Sequence, residues 1–129
     1  MGQASTVDVM EEKQMTHPVV HFEVAGNDLG KLQSFYGELF GWKTQKVPGD
    51  MPYAMVEKEG NGIGGGIGQA PDGKGHVTFY VDTDDPQAML DKAEQLGGKT
   101  ILPVTELPQV TIALFADPEG HVIGLAKGM

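Results

Sequence analysis

The sequence has no cysteine, no arginine and only two serines, Ser5 and Ser34, among its 129 residues. Without cysteine there is no disulfide frame, no thiol nucleophile and no Cys-ligated zinc or iron–sulfur site. The serines lie in a polar leading stretch and in a helical segment, settings that do not suit a serine nucleophile. All nine basic residues are lysines, set against eighteen acidic ones, for a net charge of −9. Duplex binding needs a basic footprint, and tight phosphate or carboxylate sites favour the guanidinium fork, so neither nucleic acid nor a strongly anionic ligand is an expected partner. No apolar run approaches the ~20 residues of a membrane-spanning helix. The first 16 residues lack the apolar core of a signal peptide, so no membrane partner and a cytoplasmic location are expected. Glycine is abundant instead, at 19 residues, about twice its usual share, which suggests a fold that needs bare backbone.

Residues 1–16 read as a mobile extension, and residues 17–129 as one domain built of two modules, about 17–70 and 75–129. PVVHFEV alternates as a strand, with Val20, Phe22 and Val24 on one face and His21 and Glu23 on the other. Asn27 or Asp28 can cap a helix whose apolar stripe is Leu29, Leu32, Phe35, Tyr36, Leu39 and Phe40, and Gly41 stops it. Strand-like stretches follow at 42–47, 53–58 and 62–68. In the second module His76 to Val81 is a strand, and Asp84 or Asp85 caps a helix with Pro86 in its first turn. Gly97 and Gly98 end that helix before strands at 99–104, 110–116 and 122–127. By identity, His21 lines up with His76, and EGNGIG with EGHVIG. The pattern predicts an α+β fold of two pseudo-twofold-related βαβββ modules, their curled mixed sheet enclosing a cleft.

VVHFEV, the helix SFYGELFGW and FADPEGHVIGL together resemble the vicinal oxygen chelate superfamily of glyoxalases, bleomycin-resistance proteins and extradiol dioxygenases. That resemblance implies a divalent metal in many members, held by first-strand histidines and last-strand carboxylates. Carried over, the histidine positions are His21 and His76, but the carboxylate positions fall at Gly64 (with Gly65 beside it) and Gly124. Two imidazoles underdetermine a divalent site. Glu23 is a possible third ligand, although side chains two apart on a strand are rooted more than ~6 Å from one another. The expectation is no cofactor, with a divalent metal at His21 and His76 as the alternative.

Replacing two carboxylates by glycine implies a larger, less polar cleft where a ligand lies against backbone, unless these glycines serve only close packing in the sheet. His21, Glu23, Thr78 and Tyr80 are its expected lining, together with Tyr53, Met55, Gly64, His76 and Gly124. His21, Glu23 and His76 are the candidates for any catalysis. Near-matches to nucleotide loops fail: no helix follows Gly60, Gly62 and Gly65, and Gly75 replaces the hydroxyl after Gly73 and Lys74. Asp82, Asp84 and Asp85 suit helix capping. Three functions remain open: a metal-free pocket for a neutral or cationic small organic molecule, as in bleomycin-resistance members; a metal-dependent lyase, isomerase or dioxygenase using His21, His76 and an unidentified ligand; or proton transfer without metal. The resemblance also makes a homodimer an expectation.

Overall fold

A computed structural model describes residues 16–70 and 72–129, so the extension expected at the start of the chain lies, apart from Thr16, outside the described residues. The elements are β1 (Val19–Gly26), α1 (Leu29–Phe40), β2 (Thr44–Lys46), β3 (Tyr53–Val56), β4 (Gly65–Gln69), β5 (His76–Asp82), α2 (Pro86–Gln95), β6 (Lys99–Glu106), β7 (Thr111–Ala116) and β8 (Val122–Lys127). Local chemistry sets both helices. The Asp28 carboxylate accepts the Lys31 N–H and opens α1, and Gly41, at φ 73°, closes it in the left-handed region that glycine enters freely. The Asp85 carboxylate accepts the Ala88 N–H, and Pro86 occupies the first turn of α2, where its missing N–H costs nothing.

One mixed sheet carries all eight strands in the order β2-β3-β4-β1-β5-β8-β7-β6. β1 pairs in parallel with β4, and β5 with β8, and the halves join through antiparallel β1 and β5. Each helix covers the outer face of its own half. Leu29 of α1 packs with Ala54, Val56 and Ile67 of the sheet, flanked by Phe22, Leu32, Tyr36 and Trp42. Leu90 of α2 packs with Ala113 and Leu125, flanked by Met89, Val104 and Phe115. Neither half buries its sheet without its helix, and truncating a side chain as enclosed as Leu90 or Leu125 should cost about 2–5 kcal/mol.

The pseudo-twofold axis differs from the one implied by matching histidines. The helix caps Asp28 and Asp85 are 57 positions apart, and so are Phe22 and Phe79, which pair directly across β1 and β5. At that spacing His21 is equivalent to Thr78, and Glu23 to Tyr80. His76 lies two residues further back, opposite Ala25. Identity misled because a strand repeats its facing every two residues, so a slip of two keeps both histidines on the same face. The expected α1 stripe is also too wide: Leu29 is buried, but Phe35, Leu39 and Phe40 are 56%, 58% and 57% exposed.

Candidate functional site

Strand parity assembles the site. Paired residues of neighbouring strands share a face, so β1 and β5 present His21 with Tyr80, Glu23 with Thr78, and Ala25 with His76 on the face opposite the helices. On β3, Ala54 and Val56 face the α1 core, which turns Tyr53 and Met55 into the cleft. In β8, Gly124 lies beside Tyr80 and beside Leu114 of β7, while Ala126 lies beside Ile112. The part of the cleft formed by β3, β1 and β5 is therefore polar and aromatic, and the part formed by β8 and β7 apolar.

Glu23 is the hub. Its Oε1 accepts the Tyr53 hydroxyl at 3.1 Å and, at a long 3.5 Å, that of Tyr80. Its Oε2 accepts His76 Nε2 at 2.7 Å. His21 Nε2 lies 2.8 Å from the Tyr53 oxygen. Because Tyr53 spends its single O–H on the carboxylate, His21 must be the donor, which assigns the Nε2–H tautomer to it. A relay runs from His21 through Tyr53 to Glu23, with the His21 ring edge-on to Tyr80 at 5.7 Å.

Burial sets the electrostatics. His21 is 4% exposed, and desolvation holds its pKa below the ordinary 6.5, with the Glu23 charge opposing only in part. It is therefore neutral at neutral pH. The phenols of Tyr53 and Tyr80 are pushed well above the usual range, first by burial and then by the Glu23 carboxylate that they face. Both remain hydrogen-bond donors. His76 sits at the rim with its side chain 48% exposed, while that of Glu23 is 14% exposed.

The other expected residues divide. Thr78 is buried, and its hydroxyl donates to the Val122 carbonyl at 2.6 Å, so it fastens β5 to β8 and offers nothing to the cleft. Met55 faces the cleft and is 44% exposed. Gly64 abuts the Val56 carbonyl and the Lys58 backbone at the border of β3. The expectation of an enlarged cleft is corrected: a methyl built on Gly66 or Gly68 would overlap the Tyr53 ring, and one built on Gly124 the Tyr80 ring. Tyrosines fill the room that the glycines leave. Gly66 and Gly68 were not anticipated as part of the site. Their signal was glycine at every second position of one strand, 64, 66 and 68, beside a strand carrying a tyrosine.

The match to a family profile described as a glyoxalase-like domain runs over residues 20–126, which takes in every strand residue but the outermost. The chain belongs to the glyoxalase-like domain family. Among curated relatives it is 29% identical over 117 residues to anthracycline biosynthesis protein DnrV of Streptomyces peucetius, covering 77% of this chain and 42% of that one. It is 27% identical over 110 residues to a glyoxylase-like domain-containing protein of Didymella fabae, covering 77% and 84%. A putative glyoxylase, CFP32, of Mycobacterium tuberculosis is 27% identical over 106 residues, covering 76% and 41%. The chain thus spans about two fifths of two of these relatives. Among solved structures, methylmalonyl-CoA epimerase of Mycobacterium tuberculosis superposes with a TM-score of 0.64 at 14% identity, covering 86% of this chain and 87% of that one. A glyoxalase/bleomycin resistance protein/dioxygenase superfamily member from Vibrio splendidus 12B01 gives 0.61 at 16% identity, covering 87% and 99%. At such identities these neighbours establish the glyoxalase-like fold and nothing finer.

The superfamily resemblance implies a divalent ion in the cleft. Among the described residues no three His, Cys, Asp or Glu side chains are grouped to hold one. His21 and His76 are not equivalent by the fold's own symmetry, and their Nε2 atoms are engaged by Tyr53 and Glu23. Of the carried-over carboxylate positions, Gly124 is roofed by the Tyr80 ring and Gly64 abuts the β3 backbone, while the Tyr53 ring roofs Gly66 and Gly68.

Proposed function

We propose that this glyoxalase-like domain holds a small organic molecule, neutral or cationic, in its cleft without a metal ion. The observation that carries this reading is the Glu23 hub, a carboxylate addressed by three side chains. Tyr53 and Tyr80 are fixed as donors toward Glu23, whereas His76 is half-exposed and approaches the other carboxylate oxygen from the rim. A ligand amine or hydroxyl that displaces His76 gains a charge-assisted bond to Glu23 Oε2. The apolar body of such a ligand rests on Ile112 and Leu114, and the Tyr53 ring favours a positive charge. The chain's net charge of −9 favours the same sign. Among the described residues no helix is long and apolar enough to cross a membrane.

The test is a thermal-shift screen of flat aromatic amines against uncharged isosteres of the same shape. The reading predicts amines that raise the midpoint of the wild type, an effect lost in Glu23→Gln and reduced in Leu114→Ala. Stabilisation by anionic compounds alone, or amine binding unchanged in Glu23→Gln, would contradict it.

A further inference from the structure

We propose that Asn61 is a site of spontaneous covalent modification, where the Gly62 nitrogen closes on the Asn61 side chain and converts it to an aspartyl or β-aspartyl residue. Asn61 is one of only two asparagines in the chain, and glycine follows it. Both residues are exposed in the turn that joins β3 to β4. Glycine lacks the Cβ that screens the backbone nitrogen of other residues, and it lets the chain reach the folded-over conformation that ring closure needs. The other asparagine, Asn27, precedes Asp28, whose side chain flanks the nitrogen that would attack and whose carboxylate is engaged by the Lys31 N–H.

The fold supplies its own comparison. β3 ends at Val56 and β7 at Ala116, so the turns that follow them correspond at a spacing of 60. After β7 the Asp117 carboxylate accepts the Glu119 and His121 N–H groups at 2.9 and 3.0 Å, and the His121 ring adds a third bond at 3.0 Å. In the other turn Glu57 stands in the place of Asp117, and Asn61 in the place of His121. Glutamate carries its carboxylate one methylene too far out for the short turn that aspartate makes with its own backbone. What holds the turn is a backbone bond, the Gly62 N–H donating to the Glu59 carbonyl at 2.9 Å. That bond restrains the attacking nitrogen, so the reaction waits for this one turn to open. Local opening of an exposed turn costs far less than unfolding the domain.

The chemistry needs only water. The Gly62 nitrogen bonds to Asn61 Cγ, the Cγ–Nδ2 bond breaks, and the Gly62 amide proton leaves with Nδ2 as ammonia. Water then opens the cyclic imide at either carbonyl. One opening gives aspartate; the other routes the main chain through the former side chain and lengthens the backbone by one atom. Downstream, the Gly64 carbonyl accepts the Phe22 N–H at 3.3 Å, and Phe22 faces Gly65 where β1 joins β4. Phe22 lies between His21 and Glu23, so the lengthened turn loosens the sheet beside the hub. A new charge without the extra atom does not.

Peptide mapping by mass spectrometry tests this on the full chain, aged in mildly alkaline buffer beside a synthetic peptide of residues 59–74. Fragment ions should place a gain of one dalton on residue 61, at a rate within about tenfold of the peptide, because a single hydrogen bond opposes the attack. Asn61→Gln should abolish the gain, and the peptide that holds Asn27 should stay unchanged. Amide exchange at Phe22 should quicken at least about threefold in the aged protein, while freshly purified Asn61→Asp exchanges like fresh wild type. An unmodified residue 61 in a chain whose peptide reacts, equal conversion at Asn27, or a rate that climbs with the unfolded fraction in urea overturns the proposal. Phe22 exchange that is unchanged by ageing, or equally fast in Asn61→Asp, overturns the link to the sheet.

Discussion

In the first half of the molecule the cleft-facing positions carry His21, Glu23 and Tyr53, and in the second the equivalent positions carry Thr78, Tyr80 and Ile112. The two sets sit on the same strands of the same motif and rest on cores of the same design. Thr78 turns its hydroxyl to a backbone carbonyl and Ile112 offers only apolar surface. Since β7 and β8 fold with Ile112, Leu114, Gly124 and Ala126 on the cleft face, a polar network across the whole sheet is not a demand of the architecture. The proposed cleft therefore has the Glu23 hub as its polar part, with β7 and β8 as its apolar wall. Glycine is the shared feature: Gly66 and Gly124 occupy matching places, and each is roofed by a tyrosine, which comes from β3 in one half and from β5 in the other.

The largest effect should come from filling those roofed glycines, and it should differ between halves. A methyl at Gly124 meets the base of the Tyr80 ring, which is 6% exposed and has nowhere to move. Gly124→Ala should therefore destabilise by about 3 kcal/mol in urea unfolding. At Gly66 the methyl meets the far end of Tyr53, so Gly66→Ala should cost less, about 1–2 kcal/mol, as the ring swings aside and gives up its hydrogen bonds. Equal costs would contradict the asymmetry. Next is the hub: Glu23→Ala leaves two buried hydroxyls without an acceptor and should cost about 2–3 kcal/mol, with Glu23→Gln milder because it keeps an acceptor oxygen. Smaller still, Tyr53→Phe should cost about 1 kcal/mol, since its oxygen serves both His21 and Glu23, and Tyr80→Phe well under half of that because its bond is stretched. A reversed order would make Tyr80 the central phenol.

The pH dependence sharpens the same contrast. His21 has a folded pKa depressed below 6.5, so the native state binds fewer protons than the unfolded one. Its contribution is complete above pH 6.5 and is lost as the pH falls through the depressed value. His21→Gln should flatten unfolding free energy against pH on the acid side of 6.5. Tyr53 and Tyr80 have the opposite sign of displacement: their raised folded pKa values stabilise below the ordinary phenol value of 10.0 and lose that contribution above it. Stability should fall on the alkaline side, and less steeply in Tyr53→Phe.

Much of the fold was legible in local signals. Asp28, Gly41, Asp85 and Pro86 marked the helices because capping chemistry is short-range, and alternation in PVVHFEV separated Phe22 from His21 and Glu23. The relation between the halves was less legible, because matching His21 to His76 preserved strand parity while missing the true spacing. Only the Phe22–Phe79 pair and the two caps fix it, and that pairing is a tertiary fact. Apolar spacing on α1 likewise told which residues share a side, but not that the sheet covers Leu29 and Leu32 while leaving Phe35 and Leu39 outside. Glu23, His21, His76 and Tyr80 were named from one strand face. The junction of Tyr53 to them was hidden because it depends on which glycines of β4 lie beneath its ring.

The most direct test of the central claim is a calorimetric titration of chelator-treated protein with nickel(II), zinc(II), iron(II) and manganese(II), repeated on His21→Ala and His76→Ala. A cleft whose histidines are committed to Tyr53 and Glu23, and whose Gly66 and Gly124 are roofed by tyrosines, should show no stoichiometric binding tighter than about 1 μM. One equivalent bound more tightly than that, and lost in both variants, would contradict it.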